Sequence, residues 1–148
     1  MNKLTPTTSI KILSYGGLVP FLITLAGIIF SSTDSRVFFI NAFIAYSAVI
    51  LAFIGAVHWG LIIKNDNASN RSTLLAISVL PALIGWVAMS FPAVLALVIF
   101  AFAYPAVFIY ERFTNLSVLL PEWYMLIRVQ LTLLVTIMQF AAIAWSVS

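Results

Sequence analysis

The chain has 148 residues, of which 64% are hydrophobic and 7% are charged. A soluble domain carries about a quarter of its residues as charged side chains, so this composition excludes a soluble globular protein, and its hydrophobicity excludes a disordered chain. The sequence contains no cysteine and one histidine, which excludes disulfides, thiolate catalysis and a multi-His metal site within one chain. The remaining class is a polytopic membrane protein.

Hydropathy predicts the number of membrane spans. A helix needs about 20 apolar residues to cross the hydrocarbon layer of a bilayer. Five stretches meet this requirement, which predicts one all-α transmembrane domain over residues 1–148, a five-helix bundle with helices at about 10–30, 38–63, 73–90, 92–110 and 123–146. The apolar runs do not alternate with polar residues, which disfavours barrel strands. In the first span, Gly16 and Gly17 precede Pro20, and we expect a bend there.

The charged residues predict the orientation of these spans. With five spans, one face of the membrane receives six of the seven cations, and the opposite face receives only Arg36. The six are Lys3, Lys11, Lys64, Arg71, Arg112 and Arg128. The positive-inside rule therefore predicts a cytoplasmic N-terminus and a periplasmic C-terminus. The first span lacks a signal-peptide cleavage site and the tail lacks the features of a transit peptide, so we expect a multi-pass protein of a bacterial inner membrane.

The second span carries a ladder of small residues at a spacing of four, namely Ala48, Ala52, Ala56 and Gly60. Small residues allow helix backbones to approach closely in lipid, where dispersion then stabilises the contact. We therefore expect this ladder to be the main packing seam. Its partner is either a helix of the same chain, which we favour, or another subunit.

Two titratable side chains fall within predicted spans. His58 is expected near the cytoplasmic end of the second span, where it either bonds to a backbone carbonyl, acts as a ligand or proton relay, or contacts another subunit. Arg128 is expected just inside the last span, where it either snorkels to water or binds a lipid head group, a quinone carbonyl or a carboxylate. Their similar depth allows both to line one cytoplasm-facing pocket together with Trp59, Trp123 and Tyr124. If the two side chains face each other there, we expect the guanidinium to donate a hydrogen bond to a neutral imidazole.

The last span continues as a polar stripe along one helix face, formed by Arg128, Thr132, Thr136 and Gln139. Such a stripe usually faces other helices, and we expect interhelical hydrogen bonds from it. No acidic residue is expected deep in a span, because Glu111 is assigned to the loop that follows the fourth span. This absence disfavours a carboxylate-based site for proton or sodium coupling.

Three segments resemble the transmembrane-protein-69-like family, a membrane family of unknown function. They are GLVPF at residues 17–21, YSAVILAFIGAVHWG at residues 46–60 and PEWYMLIR at residues 121–128, followed by LT at residues 131–132. The resemblance covers nearly the whole chain. It implies a helical membrane fold but carries no activity and no catalytic residues.

The sequence shows no nucleophile–base–acid set, no glycine-rich phosphate loop and no paired carboxylates. We therefore expect no enzymatic activity, no cofactor, no metal and no nucleic-acid partner, and we expect membrane lipids, other membrane subunits or a second copy as partners. The leading hypothesis is a small accessory subunit or assembly factor of a larger inner-membrane complex, with a respiratory complex as one candidate. The alternative is a membrane protein that binds or carries a lipid, a quinone or another small molecule in the pocket of His58 and Arg128.

Overall fold

The computed structural model describes residues 6–64, 70–114 and 120–147, with side chains from residue 8 onward. Within these ranges the chain forms six helices and no strand: α1 (Pro6–Gly16), α2 (Val19–Phe30), α3 (Thr33–Lys64), α4 (Arg71–Ala88), α5 (Ala93–Phe113) and α6 (Glu122–Ser146). The helices α1 and α2 together form one apolar span, Thr8–Phe30, so the described residues provide five spans of sufficient length and hydropathy to cross a membrane. This architecture indicates a multi-pass helical membrane protein.

The predicted bend in the first span is confirmed as a break between α1 and α2. The Leu18 amide bonds to the Tyr15 carbonyl at 3.0 Å, a short turn that ends α1. Pro20 lies in the first turn of α2, where its missing amide hydrogen costs no helix bond. Tyr46 of α3 donates a hydrogen bond of 2.9 Å to the Gly17 carbonyl, which fixes the break against the rest of the bundle.

The five spans pack in the order α2, α3, α4, α5 and α6, and α6 returns to contact α2. The most extensive contacts join α3 to α4 and α5 to α6, and α3 also meets α5 across the bundle. Large apolar side chains fill the centre, and the largest of them that are fully buried are Phe21, Phe43, Phe100, Ile28, Leu51, Ile62 and Leu97. The interior therefore has the packed character expected of a helical domain.

Helices α3 and α4 approach closely through small residues that differ in part from the predicted ladder. A Cβ atom added at Gly55 would lie 2.5 Å from the Ser78 carbonyl oxygen, and one added at Gly85 would lie 3.2 Å from Ala48 Cα. The seam thus uses Ala48 and Gly55 on α3 against Ser78 and Gly85 on α4. These contacts bring the two backbones together as small residues do in membrane helices.

The prediction that the whole ladder forms one packing seam is wrong within this chain. Ala48 is buried and Ala52 is half-buried, but Ala56 and Gly60 are exposed, and a Cβ atom at Gly60 would meet nothing within 4 Å. The reason is helix geometry: a helix turns about 100° per residue, so Gly60 lies roughly 120° around α3 from Ala48. Gly55, seven residues from Ala48, returns to within about 20° of it and takes the buried position.

Candidate functional site

Three charged or titratable side chains from three helices meet inside the bundle: His58 of α3, Glu111 of α5 and Arg128 of α6. Arg128 donates from Nε and Nη2 to Glu111 Oε2, at 3.1 and 2.8 Å. His58 Nε2 lies 3.5 Å from the same oxygen. The exposed fractions are 2% for His58, 1% for Glu111 and 7% for Arg128, so the whole cluster is buried.

Each helix places its cluster residue on the face that turns toward the interior. On α6, Arg128 is followed on the same face by buried Thr132 and Val135. On α5, Glu111 continues the face of buried Phe100 and Tyr104, at steps of four and seven residues. The cluster therefore belongs to the interior packing faces of the bundle.

A cavity of about 150 Å³ opens beside the cluster. Its polar lining includes all three cluster residues together with Tyr104, Tyr124 and Thr132, and its remaining walls are mainly apolar side chains from α1, α2, α3 and α6. Engineered cavities of about this volume hold one benzene molecule. The site thus combines a charged floor with apolar walls, as small-molecule sites commonly do.

The break between α1 and α2 lies over one side of this cavity. Leu13, Ser14 and Gly17 from that region line it, and so does Phe53 of α3. Leu13 and Phe53 are 75% and 63% exposed on the outer surface of the bundle. Because the same side chains touch both the cavity and the outer surface of a membrane span, the cavity has a lateral edge toward lipid.

One buried polar atom at the cavity has no hydrogen-bond partner among the described residues. Thr132 is 6% exposed and lines the cavity, yet its Oγ1 has no hydrogen-bond partner there. The two Arg128 hydrogen bonds and the His58 contact all converge on Glu111 Oε2, so its other oxygen, Oε1, receives none of them. Buried polar atoms are nearly always paired in native proteins, so the Thr132 hydroxyl is available to a bound molecule or water.

A second polar group lies deeper along the same face of α6. Gln139 donates to Ser47 Oγ at 2.8 Å, Ser47 donates to the Phe43 carbonyl at 2.8 Å, and Tyr104 donates to the Ser47 carbonyl at 2.8 Å. The predicted polar stripe on α6 therefore faces the interior. Gln139 makes the expected interhelical bond, whereas Thr132 and Thr136 leave their hydroxyls unpaired by the described residues.

The structure brings some of the predicted pocket residues together and leaves others outside. His58, Arg128 and Tyr124 line the cavity. Trp59 is 49% exposed on the outer surface, and Trp123 is half-buried, with its ring in an edge contact to Tyr124 at 6.0 Å between centroids. Neither tryptophan is among the residues that line the cavity.

Two predictions about charge in the bundle are wrong, and both concern Glu111. The fourth predicted span ended at residue 110, but α5 continues to Phe113, which places Glu111 inside the helix with 1% exposure. Arg128 and His58 consequently meet through this carboxylate instead of bonding directly to each other. The helical register of Tyr104 and Glu111, seven residues apart on α5, is the sequence signal that could have located it.

The charges at the site compensate one another. One carboxylate faces one guanidinium at hydrogen-bonding distance, so the cluster carries no net charge when the imidazole is neutral. Transferring such a pair from water into a low-dielectric interior is costly, which makes a buried ion pair weak evidence for a purely stabilising role. Titratable residues at membrane depth more often mark a functional site.

No described group of three or more His, Cys, Asp or Glu residues could hold a metal ion. The cluster contains only two such residues, His58 and Glu111, and the guanidinium of Arg128 occupies the carboxylate. Within the described residues, the arrangement suits hydrogen bonding to an organic molecule better than metal ligation.

Comparison with known proteins identifies the family and nothing beyond it. No curated protein and no solved structure matches the chain. One family profile, described as "Protein of unknown function (DUF3429)", matches residues 6–144. That match carries no link to the transmembrane-protein-69-like family suggested by the sequence segments above. The matched range contains every residue of the His58–Glu111–Arg128 cluster and nearly all of the bundle, and the chain therefore belongs to the DUF3429 family.

Proposed function

We propose that this protein is a non-catalytic membrane protein that binds an amphipathic small molecule in the cavity beside His58, Glu111 and Arg128. One observation carries the proposal: a buried cluster that contains the Arg128–Glu111 ion pair forms the floor of an apolar cavity at the lipid-facing side of the bundle. An ion pair needed only for packing would require no cavity beside it. The proposed location is the inner membrane of a bacterium, with the cluster on the cytoplasmic side, in accordance with the cation distribution.

The test is recovery of the ligand after purification. Protein extracted from its native membrane in a mild detergent is expected to carry a stoichiometric amphiphile that native mass spectrometry detects. Leu131→Trp fills the cavity, because Leu131 lines it, and should abolish this adduct. The matched control is Leu133→Trp on the same helix, where the side chain is 59% exposed and outside the cavity lining, and it should retain the adduct. Equal adducts in both variants would contradict the proposal.

A second candidate function is an accessory subunit or assembly factor of a larger membrane complex. The observation that favours it is the exposed part of the small-residue ladder, where Ala56 and Gly60 leave an open strip on α3 beside Trp59. Such a strip allows close approach of a helix from another subunit.

The natural absence of cysteine makes this candidate directly testable. Gly60→Cys should form a defined cross-link to a stoichiometric partner subunit in native membranes, whereas Phe102→Cys, on a lipid-facing position that is 65% exposed, should not. Cross-linking at neither position, together with purification as a single chain, would remove the accessory-subunit hypothesis and leave the binding proposal intact.

A further inference from the structure

The chemistry of the cavity restricts the kind of head group that it can hold, and this argument rests on the binding function proposed above. The first restriction is charge. Glu111 compensates Arg128 at 2.8 Å, so an anionic head group such as a phosphate would meet a carboxylate beside the guanidinium. A second anion at that position is repelled, and like charges at close range are unfavourable in a low dielectric. The cluster therefore disfavours phospholipid phosphates and favours a neutral head group.

The second restriction is hydrogen bonding. The Thr132 hydroxyl is buried and unpaired by the described residues, and Glu111 Oε1 receives neither of the Arg128 hydrogen bonds. The hydroxyl can donate to a carbonyl oxygen, and the carboxylate oxygen can accept from a hydroxyl. A head group that bears carbonyl or hydroxyl oxygens matches both atoms without carrying charge.

The third restriction is size and shape. The cavity holds about 150 Å³, which is the volume of a single-ring site. Its lining includes the aromatic residues Phe21 and Tyr104, and its edge toward lipid is formed by Leu13 and Phe53. A ring placed on the cluster would therefore have an apolar route for a hydrocarbon tail between α1 and α3.

From these three restrictions we infer that the ligand is a neutral, single-ring amphiphile with ring oxygens, of the benzoquinone or benzoquinol class, with its ring on the cluster and its tail in the lipid. Thr132 donates a hydrogen bond to one ring oxygen of the ligand. In the quinol form that ring oxygen is a hydroxyl, which also donates a hydrogen bond to Glu111 Oε1. Binding alone is inferred, and the site needs no electron donor for it. His58 and Arg128 act as positioning residues that hold the Glu111 carboxylate.

The experiment measures binding of a decyl-substituted benzoquinone to the purified full chain in lipid nanodiscs, with infrared detection of the quinone carbonyl stretch. A saturable complex is expected, with the carbonyl band shifted to lower wavenumber by the new hydrogen bond. Thr132→Val should weaken binding by about fivefold and reverse most of the band shift. Thr136→Val is the matched control, since Thr136 lies one turn further along α6 and outside the cavity lining. It should bind as the wild type does.

Two other outcomes overturn the inference in distinguishable ways. Binding of phosphatidylglycerol or diacylglycerol at the cavity, blocked by Leu131→Trp, with no binding of the benzoquinone, would overturn the ring assignment and preserve the binding function. Absence of any amphiphile from protein purified from its native membrane, combined with no benzoquinone binding, would overturn both. Equal binding by Thr132→Val and Thr136→Val would contradict the assigned contact at Thr132.

Discussion

Arg128 and Glu111 form a pair in which the guanidinium donates twice to a single carboxylate oxygen, Oε2, at 3.1 and 2.8 Å. A common alternative is two parallel bonds, one to each oxygen. The one-sided arrangement leaves Oε1 free of Arg128 and lets His58 Nε2 approach Oε2 at 3.5 Å. The pair thus holds the carboxylate in place through one of its two oxygens.

The first prediction concerns the stability that this pair provides. Glu111→Gln should lower the free energy of unfolding in detergent by about 3–5 kcal/mol, because it leaves the buried Arg128 charge without its counter-ion. The double variant Glu111→Gln/Arg128→Gln should be more stable than the single one, since no uncompensated charge remains. Glu122→Gln, at an exposed position in the first turn of α6, is the control and should change stability by less than about 0.5 kcal/mol. A double variant less stable than Glu111→Gln would show that the pair does not act as a unit.

The second prediction concerns the seam between α3 and α4. Gly55→Ala should destabilise the bundle by about 1–3 kcal/mol, because the new Cβ atom would lie 2.5 Å from the backbone oxygen of Ser78. Gly60→Ala adds the same methyl group to the same helix, where nothing lies within 4 Å, and should be neutral or slightly stabilising. Comparison of the two unfolding midpoints in detergent checks the seam. Similar midpoints would mean that α4 packs on another face of α3.

A related prediction separates the buried and exposed parts of the ladder. Ala48→Leu should be strongly destabilising, because Ala48 is 8% exposed and its backbone lies against Gly85. Ala56→Leu should change the stability of the isolated chain little, because that position is exposed. Thermal unfolding of both variants in the same detergent provides the comparison. A large loss for Ala56→Leu would indicate a helix partner on the exposed strip that survives purification.

The hydrogen bond from Tyr15 to Gln130 predicts how firmly α1 is held over the cavity. Tyr15 Oη donates to Gln130 Oε1 and joins α1 to α6. Tyr15→Phe removes this bond, and hydrogen exchange of the α1 amides should become about fivefold faster as α1 opens more often. Tyr110→Phe deletes a hydroxyl that has no partner among the described residues, so α1 exchange should not change. Unchanged exchange in Tyr15→Phe would show that other contacts hold α1.

The orientation predicted from the cations is testable with reporter fusions. A phosphatase fused after Ser148 should be active, because the C-terminus is predicted to lie in the periplasm, and the same enzyme inserted at Asn67 should be inactive in the cytoplasm. A fluorescent protein that matures only in the cytoplasm should show the reverse pattern. Phosphatase activity at Asn67 together with none at the C-terminus would mean that the bundle is inverted.

The sequence by itself determined the spans and the break in the first one. Long apolar runs leave a helix as the only way to satisfy backbone hydrogen bonds in lipid, and five such runs are found in the described residues. The pairing of Gly17 with a nearby proline located the break for an equally local reason, since Pro20 has no amide hydrogen to continue α1. The similar depth of His58 and Arg128 also followed from their positions along two antiparallel spans.

The tertiary structure decided which helix faces meet, and this controlled the rest of the site. Glu111 lies at the end of an apolar run, where hydropathy cannot distinguish the last helical turn from the start of a loop. Its burial becomes favourable only because His58 of α3 and Arg128 of α6 lie beside its carboxylate. In the same way, a spacing of four residues made Gly60 look equivalent to Ala48. The rotation of about 100° per residue and the contact with α4 placed Gly55 in the seam instead. Membrane insertion depends on summed hydropathy along the chain, whereas a site depends on the rotation of each helix against its neighbours, which only packing determines.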